Sequence, residues 1–415
     1  MSIRTSSSQP EESVDADSIA TPHLAIRPGH PDFLDLPWEQ PVSDWDSPRL
    51  ASMPTGIHRH PVVFVAYDEG VYAIKELPLK IALSEYEVMR ELGEMTRRTA
   101  LAVGHVERSW LDPSEEQAGA VITRYVEHSF PYRHLISGPG FGGRRRQMLD
   151  AVAGLLVELH IAGLYWGDCS LSNLLYRWDA GAIEAVMIDG ETSELYEQLS
   201  DGQRAMDIQI MVENLAGEMA DIAAMNGVAL DRADLNLGQD IESKYHQLWD
   251  ELNRELVIGR DDSYLIRERI ARLNDLGFSV EEIELKPTAA GNVVEMRVHV
   301  GGRTYHSFKL RELTGIEASE NQARILLSDL EYYLSKSRST TPTQRTVGTM
   351  EWLAKSFEPI TAKIAELRGG NPLQGYCDFL NHRMVLATAA GADVNNQTAF
   401  DDWVEAGYPG FPVEP

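Results

Sequence analysis

The run Trp166–Asn173, followed by Val186–Gly190, constrains this chain more than any other feature. Asp168 and Asn173 stand five positions apart, which one tight turn can accommodate. The short apolar run before Asp189 predicts a buried strand that delivers this residue at its edge. Carboxylate and amide oxygens are ligands that Mg²⁺ accepts. An isolated Asp and Asn at this spacing are common in turns and helix caps, so the surrounding motifs decide the interpretation.

Upstream of this run, the spacing of apolar residues predicts a helix over Arg144–His160. Its apolar face carries Met148, Val152, Leu155, Leu156 and Leu159. The helix would lead His160 and Gly163 directly into the loop of Asp168.

A lysine and a glutamate precede these elements. Pro61–Ala66 and Val71–Leu77 are strand-like and are joined by an Asp-Glu-Gly turn, which predicts a hairpin with Lys75 on its second strand. The next segment, Ser84–Leu92, predicts a helix that offers Glu85 as the partner of Lys75. Glu87 and Glu91 on the same helix are rivals, and a solvated lysine near surface carboxylates is the plain alternative.

The order Lys75, Glu85, Asp168, Asn173, Asp189 is similar to that of the protein-kinase-like superfamily. Trp-Gly-Asp stands where His-Arg-Asp is usual, and Asp-Gly-Glu stands where Asp-Phe-Gly is usual. Gly-Asp in the loop, and Ile-Asp without Phe-Gly, resemble RIO-type kinases, aminoglycoside phosphotransferases and lipopolysaccharide core kinases. The resemblance implies an α+β, two-lobed protein-kinase-like fold, with an N-lobe over 32–127 and a C-lobe over 128–258.

A closer resemblance is to an actinobacterial family that is described as a domain of unknown function and is sometimes called lipopolysaccharide-kinase-like. The runs Gly163–Leu174, Ile188–Thr192 and Leu276–Phe278 carry it, and it covers roughly residues 36–392.

The kinase-like resemblance implies roles for the motif residues. Lys75, held by Glu85, would bind the α and β phosphates of ATP. Asn173 and Asp189 would hold Mg²⁺ or Mn²⁺, and Asp168 would align or deprotonate an acceptor hydroxyl. The segment 120–127 would be the strand and hinge beside the adenine base, although a plain core strand is an alternative. Its predicted base-binding residues are Thr123, Arg124, Tyr125 and Val126.

The phosphate-covering loop departs from the kinase pattern. Gly56 stands alone where three glycines would allow close backbone approach. Arg59 and His60 can replace backbone amides with charged side chains against phosphate, or the loop binds nothing.

The stretch after Asp189 bears on the acceptor. No Ala-Pro-Glu run follows, so the platform that holds a peptide substrate in eukaryotic protein kinases is missing. A small molecule, a lipid headgroup or a glycan is then the expected acceptor. Asp207 either ties down the catalytic loop from below or simply lies favourably near a helix start.

Composition excludes several classes of protein. A formal net charge of −27 argues against general nucleic-acid binding. No apolar run approaches membrane-spanning length and no signal peptide is evident, so a cytoplasmic location is the default expectation. Cys169 and Cys377 form neither a disulfide framework nor a metal pair.

The remaining segments predict further regions. Residues 1–31 are expected to be a disordered tail. Residues 259–336 are expected to form a small α+β domain with a hairpin of Val293–Val300 and Arg303–Phe308 around Gly301-Gly302. Residues 347–415 are expected to be helical. A protein partner can bind through this C-terminal part.

The sequence thus predicts an ATP-dependent phosphotransferase, an atypical kinase, that acts on a hydroxyl group. Two alternatives stay open. One is a pseudokinase or nucleotide-binding scaffold that acts through its C-terminal domain, which the lone Gly56 and the Gly-Glu pair after Asp189 favour. The other is nucleotidyl transfer on the same fold.

Overall fold

The computed structural model describes residues 21–53, 59–136, 139–259, 262–287 and 293–412. These residues form a mixed α/β structure with several small antiparallel sheets and many helices. No helix in these ranges is both long enough and apolar enough to cross a membrane.

The strands follow one another along the chain in small groups. They are β1 (His23–Ile26), β2 (Val62–Tyr67), β3 (Gly70–Leu77), β4 (Ala102–Glu107), β5 (Gly119–Arg124), β6 (Ser129–Pro131), β7 (Leu164–Tyr165), β8 (Leu174–Asp179), β9 (Ala182–Met187), β10 (Glu194–Leu195), β11 (Leu256–Gly259), β12 (Val280–Pro287) and β13 (Val293–Val300).

The helices are concentrated in the second half of the chain. They are α1 (Leu79–Met95), α2 (Arg145–Ile161), α3 (Asp201–Asn226), α4 (Arg232–Leu235), α5 (Leu237–Asn253), α6 (Tyr264–Asp275), α7 (Tyr305–Thr314), α8 (Glu320–Lys336), α9 (Pro342–Trp352), α10 (Glu358–Arg368), α11 (Pro372–Ala390) and α12 (Asn396–Glu405).

The first sheet has five antiparallel strands in the order β1-β4-β5-β3-β2, and α1 packs against β4 and β5. The hairpin predicted around Gly70 is confirmed, because β2 and β3 pair from Val62 with Lys75 to Tyr67 with Gly70. Aromatic residues from the segment before β2, including Trp38 and Trp45, are buried against this sheet.

The predicted extent of the N-terminal tail is wrong. β1 pairs with β4 from His23 to Ile26, so part of the region expected to be disordered is an edge strand of the first sheet. Its short apolar run gains cross-strand partners that composition alone does not reveal. Residues 1–20 lie outside the described residues.

The middle of the chain is built on α2. Its residues from Ala151 to His160 are all buried, because α5 and β9 cover the helix from different sides. The small sheet β6-β8-β9 and the two-stranded pair β7-β10 lie beside it. Arg98 joins this part to the first sheet, since its guanidinium donates to the carbonyls of Ala185 and Ala151 and pairs with Glu158.

The hairpin predicted around Gly301-Gly302 is wrong. β13 pairs instead with β12, and the third sheet has the order β11-β13-β12. Gly301 donates its N–H to Ser279 O and Gly302 accepts from Ser279 N–H, so the glycine pair ends this ladder rather than turning it. The segment predicted as the second strand enters α7, whose Leu310 is buried.

Two hydrophobic clusters contain most of the buried apolar residues outside the first sheet. One extends from α1 and α2 through α5 to the sheet β11-β13-β12. The other consists mainly of α7 to α12. The division therefore falls between Val300 and Leu310, whereas the sequence predicted boundaries near residues 258 and 336. The Asp179 carboxylate bridges the clusters by accepting N–H groups of Asn321 and Gln322 at the start of α8.

Replacing Gly163 should destabilise the fold. This glycine has a φ of +83°, and a Cβ there would lie 2.0 Å from the backbone oxygen of Tyr196. We expect Gly163→Ala to lower the free energy of unfolding by on the order of 3 kcal/mol, because both the backbone conformation and the contact are unfavourable. Denaturant titration measures this change.

Gly202→Ala is the matched control. A Cβ at Gly202 meets nothing within 4 Å, so the free energy of unfolding should change by less than about 1 kcal/mol. Equal effects of the two substitutions would contradict the close approach at Gly163.

Candidate functional site

Lys75 lies at the centre of the candidate site. Side chains alternate between the two faces of β3. Tyr72 and Ile74 are buried on one face, so the Lys75 side chain lies on the other face, toward α1. The Lys75 Nζ lies 3.0 Å from Glu85 Oε2 and 3.0 Å from Asp189 Oδ1. Two neighbouring elements, β3 and α1, therefore meet the end of β9, more than a hundred residues later in the sequence, at one ammonium group.

Glu85 is the partner of Lys75 because of its place on α1. It shares the buried face of this helix with Ala82, Met89 and Leu92, whereas the rivals Glu87 and Glu91 are exposed. Its other carboxylate oxygen accepts the N–H of Gly190 at 3.4 Å. Glu85 therefore contacts both the lysine and the backbone next to Asp189.

Burial and charge act against each other in this cluster. Burial raises the pKa of Glu85 to about 7, although the Lys75 ammonium favours the carboxylate. Burial also opposes the charged form of Lys75, but Glu85 and Asp189 more than compensate, and the pKa of Lys75 lies above its usual value. Lys75 is therefore a cation at neutral pH.

The loop before β8 carries Asp168 and Asn173. Asn173 Nδ2 donates to the backbone oxygen of Asp168 at 2.9 Å and to its Oδ2 at 3.2 Å. Asn214 Nδ2 donates to Asp168 Oδ1 at 2.8 Å. Burial raises the pKa of Asp168, and these two amides oppose the shift. The carboxylate is thus fixed by hydrogen bonds on both of its oxygens.

Helix α3 holds this loop through one face. Asp207, fully buried, accepts the N–H groups of Trp166 and Gly167 and contacts His160 Nε2. Glu218 accepts the N–H groups of Leu171 and Ser172. Of the two interpretations offered for Asp207, the structure supports the one in which it ties down the loop.

Sequence analysis missed Asn214 and Glu218. They follow Asp207 by seven and eleven positions, a spacing that places all three on one side of a helix. That periodicity was the available signal, but it does not reveal which loop the face meets.

The entrance to the site differs from a glycine-rich loop. His60 Nδ1 lies 2.7 Å from Glu116 Oε1, and its Nε2 lies 3.2 Å from Glu191. Glu191 Oε2 is also 3.9 Å from Lys75 Nζ. Arg59 and His60 both line the cavity that contains Lys75 and Asp168. Gly56 lies outside the described residues.

A mostly apolar cavity extends from Lys75 toward the segment after β5. Thr123, Arg124, Tyr125 and Val126, the residues predicted to contact a base, all line it. The N–H groups of Arg124 and Tyr125 are engaged, however, because they donate to Leu101 O and Val71 O. Among the described residues the Val126 N–H forms no hydrogen bond. Of the backbone N–H groups of Arg124, Tyr125 and Val126, only that of Val126 is therefore available to a ligand.

Asn173 and Asp189 can supply oxygen ligands to a cation. They line the same cavity, and Ile188 N–H donates to Asn173 O at 3.1 Å, which fixes the loop beside the end of β9. Among the described residues, no group of three or more His, Cys, Asp or Glu side chains is arranged to hold a metal ion. These two oxygen donors suit Mg²⁺ or Mn²⁺ when phosphate oxygens complete the coordination.

Comparisons with known proteins cover parts of the chain. A family described as Domain of unknown function (DUF4032) matches residues 247–407, less than half of the sequence. The match includes Leu276–Phe278 but neither of the two motif runs at Gly163–Leu174 and Ile188–Thr192. It is therefore narrower than the predicted extent of the resemblance and falls outside the candidate site. A search of curated proteins gives no match.

One similar solved structure is described as WaaP in complex with acyl carrier protein. It has 17% sequence identity and a TM-score of 0.33, and the alignment covers 55% of this chain and 88% of that one. At that TM-score the likeness carries no argument about this site.

Glu85→Gln should change how stability depends on pH. A glutamate in an unfolded chain has a pKa of about 4.3, whereas burial raises that of Glu85 to about 7. The folded protein thus keeps a proton that the unfolded chain releases, and wild-type stability should fall as pH rises through this window. Between pH 5 and pH 8, we expect the wild type to lose on the order of 3 kcal/mol more unfolding free energy than Glu85→Gln loses.

Denaturant titrations near pH 5 and pH 8 measure this difference. Glu87→Gln, an exposed change on the same helix, should follow the wild type. If wild type and Glu85→Gln differ by the same amount at both pH values, the inferred protonation of Glu85 is wrong.

Asp207→Asn should loosen the loop of Asp168. One carboxylate oxygen becomes an amide nitrogen that faces buried donors, which should cost about 2 to 3 kcal/mol of unfolding free energy. The amides of Trp166 and Gly167 should also exchange with solvent faster. Hydrogen exchange followed by mass spectrometry and denaturant titration measure the two effects.

Asp221→Asn, an exposed change on the same helix, should leave both quantities unaltered. Unchanged exchange of the two amides in Asp207→Asn would show that Asp207 does not hold the loop.

Proposed function

We propose that this protein is an ATP-dependent phosphotransferase with a two-lobed, protein-kinase-like arrangement. The first sheet with α1 would be the smaller lobe, and the part built on α2, α3 and α5 the larger one. The γ-phosphoryl group would pass to a hydroxyl of a small molecule, a lipid headgroup or a glycan.

One observation carries the proposal. Lys75, Glu85 and Asp189 meet within 3.0 Å contacts, and the cavity that contains Lys75 and Asp189 also contains Asp168 and Asn173. These residues come from β3, α1, the loop before β8 and the end of β9. Their order along the chain is the order that the resemblance to kinases implies, and their meeting in one cleft supports it.

Each side chain has a role in the proposal. Lys75 has three N–H donors and contacts two carboxylates, so a third donor can bind phosphate oxygens. Asn173 and Asp189 would hold the divalent cation, which when bound neutralises charge on the phosphates. Asp168, fixed by Asn214 and Asn173, would orient the acceptor hydroxyl and receive its proton.

The shape of the cleft supports a small acceptor. Only a short segment separates Asp189 from the start of α3, and within it β10 pairs with β7. This pairing holds the segment against the larger lobe and leaves the side of Asp168 open between α3 and His60. A compact acceptor group fits such an opening better than an extended peptide does.

A pseudokinase scaffold is the second candidate, and one observation favours it. Asp189 Oδ1 contacts Lys75 and also accepts the N–H of Glu191, while Glu191 itself approaches Lys75 and His60. The carboxylate of Glu191 therefore occupies space beside the lysine where phosphates would lie. In that case the C-terminal part would act by binding a partner protein.

Two substitutions test the proposal. Isothermal titration calorimetry should detect magnesium-dependent ATP binding by the wild type and by Asp168→Asn. In Asp189→Asn the affinity should fall at least tenfold, because the cation loses a carboxylate ligand. Asp250→Asn, an exposed change on α5, should match the wild type.

Product analysis separates the candidates. Release of ADP without pyrophosphate, reduced about 10²- to 10⁴-fold in Asp168→Asn, would support phosphoryl transfer. Release of pyrophosphate would indicate nucleotidyl transfer. Binding of ATP without turnover on the true acceptor would indicate a nucleotide-binding scaffold. No binding of any nucleotide would exclude both transferases and favour a scaffold that does not use a nucleotide. The acceptor is identified by comparing metabolites and lipids of the wild-type strain with those of a deletion strain and an Asp168→Asn strain, because both mutant strains should lack the same phosphorylated product.

A further inference from the structure

A second cavity, here called the junction cavity, lies between the two hydrophobic clusters. Its walls come from α2, α5, α6, the segment after β13 and the C-terminal helices, and its volume is about 820 Å³. It shares no lining residue with the cavities around Lys75 and Asp168. It is therefore a separate place on the protein, and its size is within the range of sites for small molecules.

Positive charge dominates the wall of the junction cavity. Five cationic side chains line it, but only two carboxylates, those of Asp150 and Glu251. Lys244 Nζ lies 2.8 Å from Asp150, so that pair is balanced. Arg98 is balanced as well, by the carboxylate of Glu158 behind the wall, so the charges that remain to be considered are those of Arg272 and Arg303.

Glu251 is shared between two arginines. Its Oε1 lies 2.6 Å from Arg269 Nη1 and 2.7 Å from Arg272 Nε. One carboxylate balances only one of these charges. Arg269 is buried, whereas 61% of the Arg272 side chain is exposed. Arg272 therefore presents the unbalanced charge to the cavity.

Arg303 adds a second cation next to Arg272. Its Nε donates to Leu276 O at 3.0 Å, and Leu276 N–H donates to Arg272 O one turn earlier on α6. Within the described residues no carboxylate lies within 4.0 Å of the Arg303 guanidinium. The buried carboxylates behind the wall, Glu158 and Glu184, form their ion pairs with Arg98 and Arg177, although the charge of Arg303 also acts to lower their pKa values. The remaining N–H donors of Arg303 are thus available to an anion.

Gln147, on α2, offers an acceptor in the wall of the same cavity. Gln147 Nε2 donates to Gly181 O at 2.7 Å, which fixes the orientation of the amide. Its Oε1 is buried and has no donor among the described residues. A buried acceptor without a partner is unfavourable, so a hydroxyl donor from a ligand would stabilise it.

We propose that the junction cavity binds a phosphate monoester on a hydroxylated carrier, with the phosphate against Arg272 and Arg303 and a hydroxyl on Gln147. Arginine suits phosphate because its planar N–H groups match two oxygens at once. A free sugar or polyol phosphate and a lipid headgroup share this chemistry. The site is independent of the proposed phosphotransfer.

Binding to the full-length chain tests this inference. Isothermal titration calorimetry measures the binding of four probes, which are glucose 6-phosphate, glycerol 3-phosphate, inorganic phosphate and glucose. We expect an organic phosphate to bind more tightly than inorganic phosphate, and glucose not to bind. The double variant Arg272→Gln/Arg303→Gln should bind at least tenfold more weakly.

Two controls locate the effect. Arg345→Gln, a partly exposed arginine on α9 that pairs with Glu331, should bind as the wild type does. Lys75→Met should also bind as the wild type does, which separates this site from the cleft of the proposed function. If the double variant does not fold, Arg272→Gln alone serves, because most of that side chain is exposed.

Vesicles distinguish the sources of the ligand. If the protein co-sediments with vesicles that contain phosphatidylinositol 4-phosphate and the double variant does not, the ligand is a lipid headgroup. If only the soluble probes bind, the ligand is a free phosphate ester. The inference is overturned if neither occurs with a Kd below about 1 mM. It is equally overturned if the double variant binds as tightly as the wild type.

Discussion

The ammonium of Lys75 between two carboxylates is the interaction on which the candidate site depends. Glu85 reaches it from the buried face of α1 and Asp189 from the end of β9, each at 3.0 Å. Because Glu85 also accepts the Gly190 N–H, the helix, the first sheet and the strand that carries Asp189 are fixed relative to one another. Removing either carboxylate would leave a buried charge with less compensation, which is more unfavourable than losing a surface ion pair. The geometry of the cleft therefore follows from one cation and its two partners.

Helix α3 supplies the other half of the site. Asp207, Asn214 and Glu218 lie on one face of it and together accept from or donate to the backbone and side chains of residues 166–172. A loop held at several backbone N–H groups has few ways to move, so Asp168 keeps one orientation before any ligand arrives. Precise placement of a carboxylate in this way is what proximity and orientation effects in catalysis require. The same helix thus contributes no proposed phosphate contact and yet determines the position of the proposed base.

Local patterns predicted much of this structure, and contacts between distant elements account for what they missed. The β2–β3 hairpin follows from alternation within a few residues, whereas Glu85 was chosen as the partner of Lys75 because a kinase-like site requires a glutamate on the next helix. Gly301-Gly302 gave an equally strong turn signal, but β13 pairs with β12 instead of with the segment after the glycines. The charged residues of β12 hide its strand pattern. Asn214 and Glu218 share a face with Asp207 by spacing alone, yet only tertiary packing shows that this face meets the loop. The junction cavity, built from segments more than two hundred residues apart, had no local signal at all.

Charge in the cleft bears on how a nucleotide would bind. Asp168, Asp189, Glu191 and Glu218 line it together with two further carboxylates, whereas its basic side chains are those of Arg59, His60 and Lys75. Lys75 is already paired with two carboxylates, so free nucleotide phosphates would meet an excess of negative charge. In the proposed function, a divalent cation carried with the phosphates would offset this excess and would find oxygen ligands in Asn173 and Asp189. The acidic cleft would therefore select a metal–nucleotide complex over the free nucleotide, and the overall charge of −27 acts in the same direction at longer range.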